Sequence, residues 1–144
     1  MKSSIKFTTN NFKETQAFAV DFAKQLKGNT ILCLYGDLGF GKTTFIQGLA
    51  KGLGVSGRII SPSFIIMRSY KLSIKYFYHV DLYRINHEQE IIDLGLLDIM
   101  NGQNNITAIE WPEKLGKFMP EKRIDIKLDY VDENKRNFNI FIRN

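Results

Sequence analysis

Eight residues constrain this chain more than any other stretch. Gly36-Asp37-Leu38-Gly39-Phe40-Gly41-Lys42-Thr43 completes the pattern Gly-x-x-x-x-Gly-Lys-Ser/Thr, the Walker A or P-loop pattern. With glycine at about 7% of ordinary usage, a chain this long meets it by chance roughly once in two hundred times. The flanks agree. Ile31-Leu32-Cys33-Leu34-Tyr35 is a continuous apolar run of a length suited to a buried strand, and Phe45, Ile46, Leu49 and Leu53 recur at helical spacing after the loop. Strand, glycine loop and helix together are the context the pattern needs.

The residue types follow from phosphate chemistry. Gly36, Gly39 and Gly41 reach backbone angles that other residues resist, so successive N–H groups can turn inward around an anion. Lys42 adds positive charge toward the outer phosphates, and the start of the following helix lends its dipole to the same place. Thr43 offers a hydroxyl to the magnesium ion that accompanies a nucleotide triphosphate.

Along the chain, residues 5–8 alternate weakly, and Asn11 with Glu14 resembles a capping box for a helix to about Leu26. Phe12, Ala19, Phe22, Ala23 and Leu26 are the expected buried face of that helix. Past Gly28-Asn29 lie the first central strand, the loop, and a helix ending near Gly52 or Gly54. Residues 64–82 read as a hairpin turning at 71–73, and 88–100 as helix interrupted at Gly95. Residues 106–110 form an apolar strand stopped by Pro112; 124–130 and 138–142 pair through the polar turn 132–135. The sum is a three-layer α/β P-loop NTPase fold with a mixed, mostly parallel central sheet, expected as a single domain over 1–144.

Composition narrows the setting. Twenty basic against 15 acidic residues give a net charge of +5, which suits either a bias in base composition or a basic face near RNA or acidic partners. Cys33 is the only cysteine and lies inside the first central strand, so a reduced, cytoplasmic location and a small buried hydrophobe are expected. Residues 1–7 lack the apolar core of a signal peptide, and no run approaches eighteen apolar residues. Neither a membrane nor DNA is an expected partner.

Two carboxylates stand where a P-loop enzyme needs them. Asp81 and Glu110 each end a strand candidate, and the carboxyl ends of an open α/β sheet share one rim with the P-loop. Asp81 suits a ligand to metal-bound water or an anchor for the attacking water; Glu110 suits the inner or outer coordination sphere of the metal. Ser61-Pro62-Ser63-Phe64 lies where related folds sense the γ-phosphate, and reads equally as a plain Ser-Pro turn. His79 shares a strand face with Asp81; a buried, hydrogen-bonded imidazole is the first expectation, and a metal or proton-transfer role the second. Trp111 is expected to pack over the rim. Arg84 is either a phosphate or partner contact, or an exposed strand-end arginine.

Taken together, Gly36 through Thr44, Ser61-Pro62-Ser63-Phe64, His79-Val80-Asp81-Leu82-Tyr83-Arg84 and Glu110-Trp111-Pro112 closely resemble the bacterial TsaE (YjeE) family over nearly the whole chain. The resemblance implies a small cytoplasmic ATPase acting with the TsaB and TsaD proteins in the threonylcarbamoyl modification of adenosine 37 (t6A) in tRNAs that read ANN codons. It implies ATP and Mg2+ as cofactors, magnesium ligation by Thr43 and Glu110, and nucleotide contacts by Leu38, Gly39, Phe40, Gly41, Lys42, Thr43 and Thr44. On this reading Lys42 and Asp81 would carry the catalytic roles, with Asp81 also toward the nucleotide. The resemblance further implies that Ser63 belongs to a first switch loop, that Thr15 would lie toward the adenine and that Arg136 would reach the nucleotide. The chain departs from the family with Phe40 in place of alanine and Ser63 in place of threonine, the latter keeping its hydroxyl. Contact with tRNA is expected to be indirect or transient.

Two other functions compete. A small-molecule kinase needs an arginine-rich lid, and residues 102–123 supply only Arg123. A GTP switch needs an Asn-Lys-x-Asp guanine reader, and Asn134-Lys135-Arg136-Asn137 lacks the aspartate, which makes adenine the better base.

Overall fold

The apolar run ahead of the glycine loop lies at the middle of a seven-stranded sheet. The computed structural model describes residues 3–37, 41–57, 59 and 65–144. Its elements are β1 (Ser3–Thr9), α1 (Phe12–Lys24), β2 (Thr30–Tyr35), α2 (Lys42–Leu53), β3 (Met67–Lys71), β4 (Tyr76–Asp81), α3 (Glu88–Asp93), α4 (Leu96–Met100), β5 (Asn105–Glu110), a 3-10 helix (Pro112–Phe118), β6 (Arg123–Tyr130) and β7 (Arg136–Arg143). The strand order is β1-β7-β6-β2-β5-β4-β3. β2 runs parallel to β5 and β6, and β5 parallel to β4. β7 opposes both β6 and β1, and β3 opposes β4. Five strands therefore point one way and two the other.

Alternation along the central strands divides the core into two layers. Leu32 and Leu34 of β2 face the α1–α2 layer, where Phe22, Phe45 and Phe138 pack with ring centroids 5.6–6.1 Å apart. Ile31 and Cys33 face the opposite layer with Val80, Ile109, Ile91, Leu96 and Leu115. A strand buried on both faces needs the continuous apolar run seen in the sequence.

The start of α1 is capped as expected. Asn11 Oδ1 accepts from the Glu14 N–H at 2.9 Å, while the returning Glu14 carboxylate takes the N–H of Asn10 rather than of Asn11. Phe12 departs from expectation. It is the first helical residue, 63% exposed, and it borders a surface pocket instead of facing the sheet. The hairpin is present but shorter than expected. β3 begins at Met67 after bends at Ile65 and Ile66; Ile66 still accepts the Asp81 N–H at 2.8 Å, and Phe64 lies outside the described residues. Gly95 breaks α3 from α4 with φ at +74°.

One packing feature went unread in the sequence. Gly48 and Gly52 of α2 face α1, and a Cβ on either would stand 2.5 Å from the carbonyl oxygen of Gln16 or Val20. Their spacing of four brings them to one face, so the two backbones meet with no side chain between them. Replacing Gly by Ala inside a helix ordinarily stabilises by about 0.5–1 kcal/mol. Here the clash is with backbone, and overpacking of about 1–3 kcal/mol wins. Gly48→Ala is therefore expected to lower the urea midpoint at unchanged slope; a higher midpoint would show that α1 and α2 are not in backbone contact.

Candidate functional site

The parallel register assembles the carboxyl rim. Leu34 pairs with Glu110 and Glu110 with Asp81, so the end of β2 and both acids form one row across three adjacent strands. The expectation that Asp81 and Glu110 share a rim with the glycine loop holds. Gly36 leaves β2 at φ +150° and Gly41 enters α2 at φ +91°; the second value lies in the left-handed region that favours glycine. Leu38, Gly39 and Phe40 at the crest, and Ser61-Pro62-Ser63-Phe64, lie outside the described residues.

Lys42 is 4% exposed at the first position of α2. Its Nζ is buried without a hydrogen-bond partner among the described residues and stands 4.5 Å from the centre of the Trp111 ring. Cation–π attraction of about 2 kcal/mol offsets only part of the cost of drying an ammonium. Trp111 holds its place through a left-handed backbone, φ +57°, directly before Pro112, and its ring meets that of Tyr83 at 5.0 Å. Packing over the rim, the role expected for Trp111, is what it does.

The acids differ in setting. Glu110 is 6% exposed, and its Oε2 lies 2.8 Å from Nε2 of His79, which is fully buried. His79 thus meets its first expectation, although its pairing with Glu110 was not foreseen. Asp81 is half-buried, and its Oδ1 accepts the N–H of Tyr83 at 3.0 Å. Burial pushes the Asp81 carboxyl above its ordinary range; the Tyr83 N–H opposes this, the Glu110 charge adds to it, and His79 and Lys42 pull it back. Thr43 is exposed in the first turn of α2.

A second group of expected residues gathers beside the helix start. Thr15, Gly41, Thr44 and Arg136 line one pocket with Phe12, Glu133 and Asn134. Thr15 is 2% exposed, and its hydroxyl shares a 2.7 Å hydrogen bond with that of Thr9, a partner the sequence did not reveal. Arg136 stacks on Tyr130 at 4.9 Å and passes beside Gly41, where a Cβ would meet its Nε at 3.7 Å. Residues 132–135 close the tight turn into β7, with Asp132 Oδ1 accepting the N–H groups of Asn134 and Lys135 at 2.8 Å each. Arg123 stands at the start of β6, the end of the sheet opposite the glycine loop, bound to Asp125 and the Pro120 carbonyl. Arg84 is exposed. Cys33 is fully buried, and burial, reinforced by the Asp125 charge, pushes its thiol to about 12, as a packing residue requires.

A magnesium nucleotide fits this chemistry. The dry Lys42 ammonium suits a phosphate oxygen, and the available metal donors are oxygens of Thr43, Asp81 and Glu110. Among the described residues no group of three His, Cys, Asp or Glu side chains could cage a metal. Magnesium needs no such cage, since it takes one or two carboxylates and keeps water and phosphate as its other ligands.

The raised Asp81 carboxyl has a measurable consequence. A raised native value means that the folded chain binds the proton more readily, so ionisation costs stability as pH climbs above 3.8. Asp81→Asn keeps the acceptor for Tyr83 and removes that cost. In chelator, without nucleotide, the variant should be more stable than wild type at neutral pH, with the gap closing as pH falls to 3.8 and below. A gap that widens on acidification would contradict the burial argument.

Comparison with known proteins identifies the family and the fold. The sequence model of the family described as "Threonylcarbamoyl adenosine biosynthesis protein TsaE" matches residues 9–138. The TsaE protein of Rickettsia bellii is 42% identical over 132 residues, 91% of this chain and 90% of that protein. The TsaE protein of Bacillus subtilis is 37% identical over 132 residues, covering 92% and 82% of the two chains. The crystal structure of Bacillus subtilis YdiB superimposes with a TM-score of 0.84 at 31% identity, covering all of this chain and 88% of that one. The α/β P-loop fold expected from the glycine motif is confirmed by that match, and the chain belongs to the TsaE family.

Proposed function

We propose that this chain is a magnesium-dependent ATPase required for the threonylcarbamoyl modification of tRNA adenosine 37. In this reading it works in the cytoplasm with TsaB and TsaD, driving or resetting their complex, and meets tRNA only indirectly or transiently. The observation that carries the proposal is the buried Lys42 ammonium, without an acceptor among the described residues and set against Trp111, which follows Glu110, in a chain of the TsaE family.

In this reading each residue takes the role that the TsaE resemblance gives it. Lys42 and the loop amides hold the β and γ phosphates and stabilise the negative charge that shifts onto the β-phosphate oxygen as the outer bond breaks. Thr43 and Glu110 hold the magnesium ion, which when bound neutralises phosphate charge. Asp81 orients the attacking water from its half-buried position. Thr15, Gly41, Thr44 and Arg136, which line one pocket, take the base and sugar side of the nucleotide, and contacts to it by Leu38, Gly39, Phe40 and Ser63 are carried over from the TsaE resemblance. Turnover is slow alone, and the partners supply the remaining transition-state charge. The alternative of phosphoryl transfer to a small acceptor is disfavoured by the commitment of Arg123 to Asp125 at the end of the sheet opposite the glycine loop.

Lys42→Ala should weaken ATP binding by at least about 100-fold. Glu110→Gln should retain binding in chelator while magnesium-dependent hydrolysis falls roughly 100- to 1,000-fold. Equilibrium titration and phosphate release measure the two effects, and undiminished ATP binding by the Lys42 variant would refute the proposal. Label from the γ-phosphate appearing on a small acceptor, rather than as inorganic phosphate, would establish the kinase alternative.

A further inference from the structure

His79 lies two residues before Asp81 on β4, so both side chains leave the same face of the strand. The β4–β5 register sets Asp81 opposite Glu110 and His79 opposite Ala108. Glu110 does not end its contacts at the rim, for its Oε2 lies 2.8 Å from the His79 Nε2. A carboxylate can only accept, which assigns the imidazole proton to Nε2. Nδ1 is buried with no partner among the described residues. A fully buried ring whose second nitrogen meets no partner among the described residues is a poor choice for stability alone, since an apolar side chain would fill the same space at lower cost.

The His79 bond fixes a long, otherwise rotatable side chain and occupies one of its two oxygens. We propose that His79 is a positioning residue that holds the Glu110 carboxylate so that Oε1 is the oxygen presented to magnesium. The inference rests on the reading that Glu110 meets the metal. His79 itself touches neither metal nor nucleotide; imidazole is a weak match for magnesium, which prefers oxygen. Residues that orient a ligating group in this way typically change metal affinity by 10–100-fold when lost.

Three variants and one spectroscopic measurement test this. A glutamine at 79 carries an amide nitrogen about as far along the side chain as Nε2, whereas an asparagine reaches only about as far as Nδ1. A fluorescent ATP analogue is titrated in chelator and then across magnesium concentration. His79→Asn should raise the magnesium concentration for half effect by roughly tenfold or more while affinity in chelator stays within about twofold; His79→Gln should stay within about threefold of wild type. Equal shifts in the two variants, or a matching loss of affinity in chelator, would reduce His79 to structural support and overturn the inference.

Glu110→Gln separates the two claims. If it loses the magnesium effect and His79→Asn does not, only the role of His79 falls; if it keeps the effect, the reading of Glu110 falls with it. The wild-type protein supplies a test that needs no variant to fold. On adding magnesium to the nucleotide complex, the ring Nε2 resonance of His79 should move while that of exposed His87 stays, and an unmoved His79 signal overturns the proposal.

Discussion

Leu34, Glu110 and Asp81 stand opposite one another across three parallel strands, and the rest of the site depends on that register. Hydrogen-bonded strands are held about 4.7–4.9 Å apart, so both acids are delivered to fixed places beside the start of the glycine loop. A slip of one residue in β4 or β5 would turn its acid into the opposite layer and bring an apolar neighbour, Val80 or Ile109, toward α2. The register is kept by hydrophobic alternation on two faces. The same leucines, isoleucines and phenylalanines that make the core therefore also aim the chemistry.

The second support is the seating of α2. Its N-terminus carries Lys42 into a dry position against Trp111, and its glycines let it lie directly on α1. That contact brings Thr15, near the start of α1, beside Gly41 and Thr44, near the start of α2. The antiparallel extension of the sheet contributes the third wall, because β7 begins at the same rim and Arg136 pairs across both Thr9 and Tyr130. Elements far apart in sequence thus converge on one end of the sheet. Electrostatics at that end are mixed: one dry cation, one acid tied to a histidine, and one acid raised by burial and by its neighbour.

Local features were the legible ones. The glycine loop, the cap at Asn11, the break at Gly95 and the stop at Pro112 are short-range signals whose physics lies within a few residues. The buried run from Ile31 to Leu34 and the paired acids followed from periodicity and from the rule that ligands gather at strand carboxyl ends. Contacts set by register across long separations were not legible. His79 and Glu110 are 31 residues apart, and only the β4–β5 pairing brings them together. The four-residue spacing of Gly48 and Gly52 was visible, but nothing local identifies which helix they face. Phe12 was misread because an apolar residue at the first helical position need not point the way the later turns do. Thr15 and Arg136 came from family resemblance alone, with no residue pattern of their own.

Multiple-turnover threonylcarbamoyl transfer to tRNA by purified TsaB and TsaD, with and without this chain and ATP, tests the central claim most directly. The account predicts turnover that requires both the chain and ATP and is lost with Lys42→Ala. Turnover equally fast without the chain, or unchanged with the Lys42 variant, would contradict it.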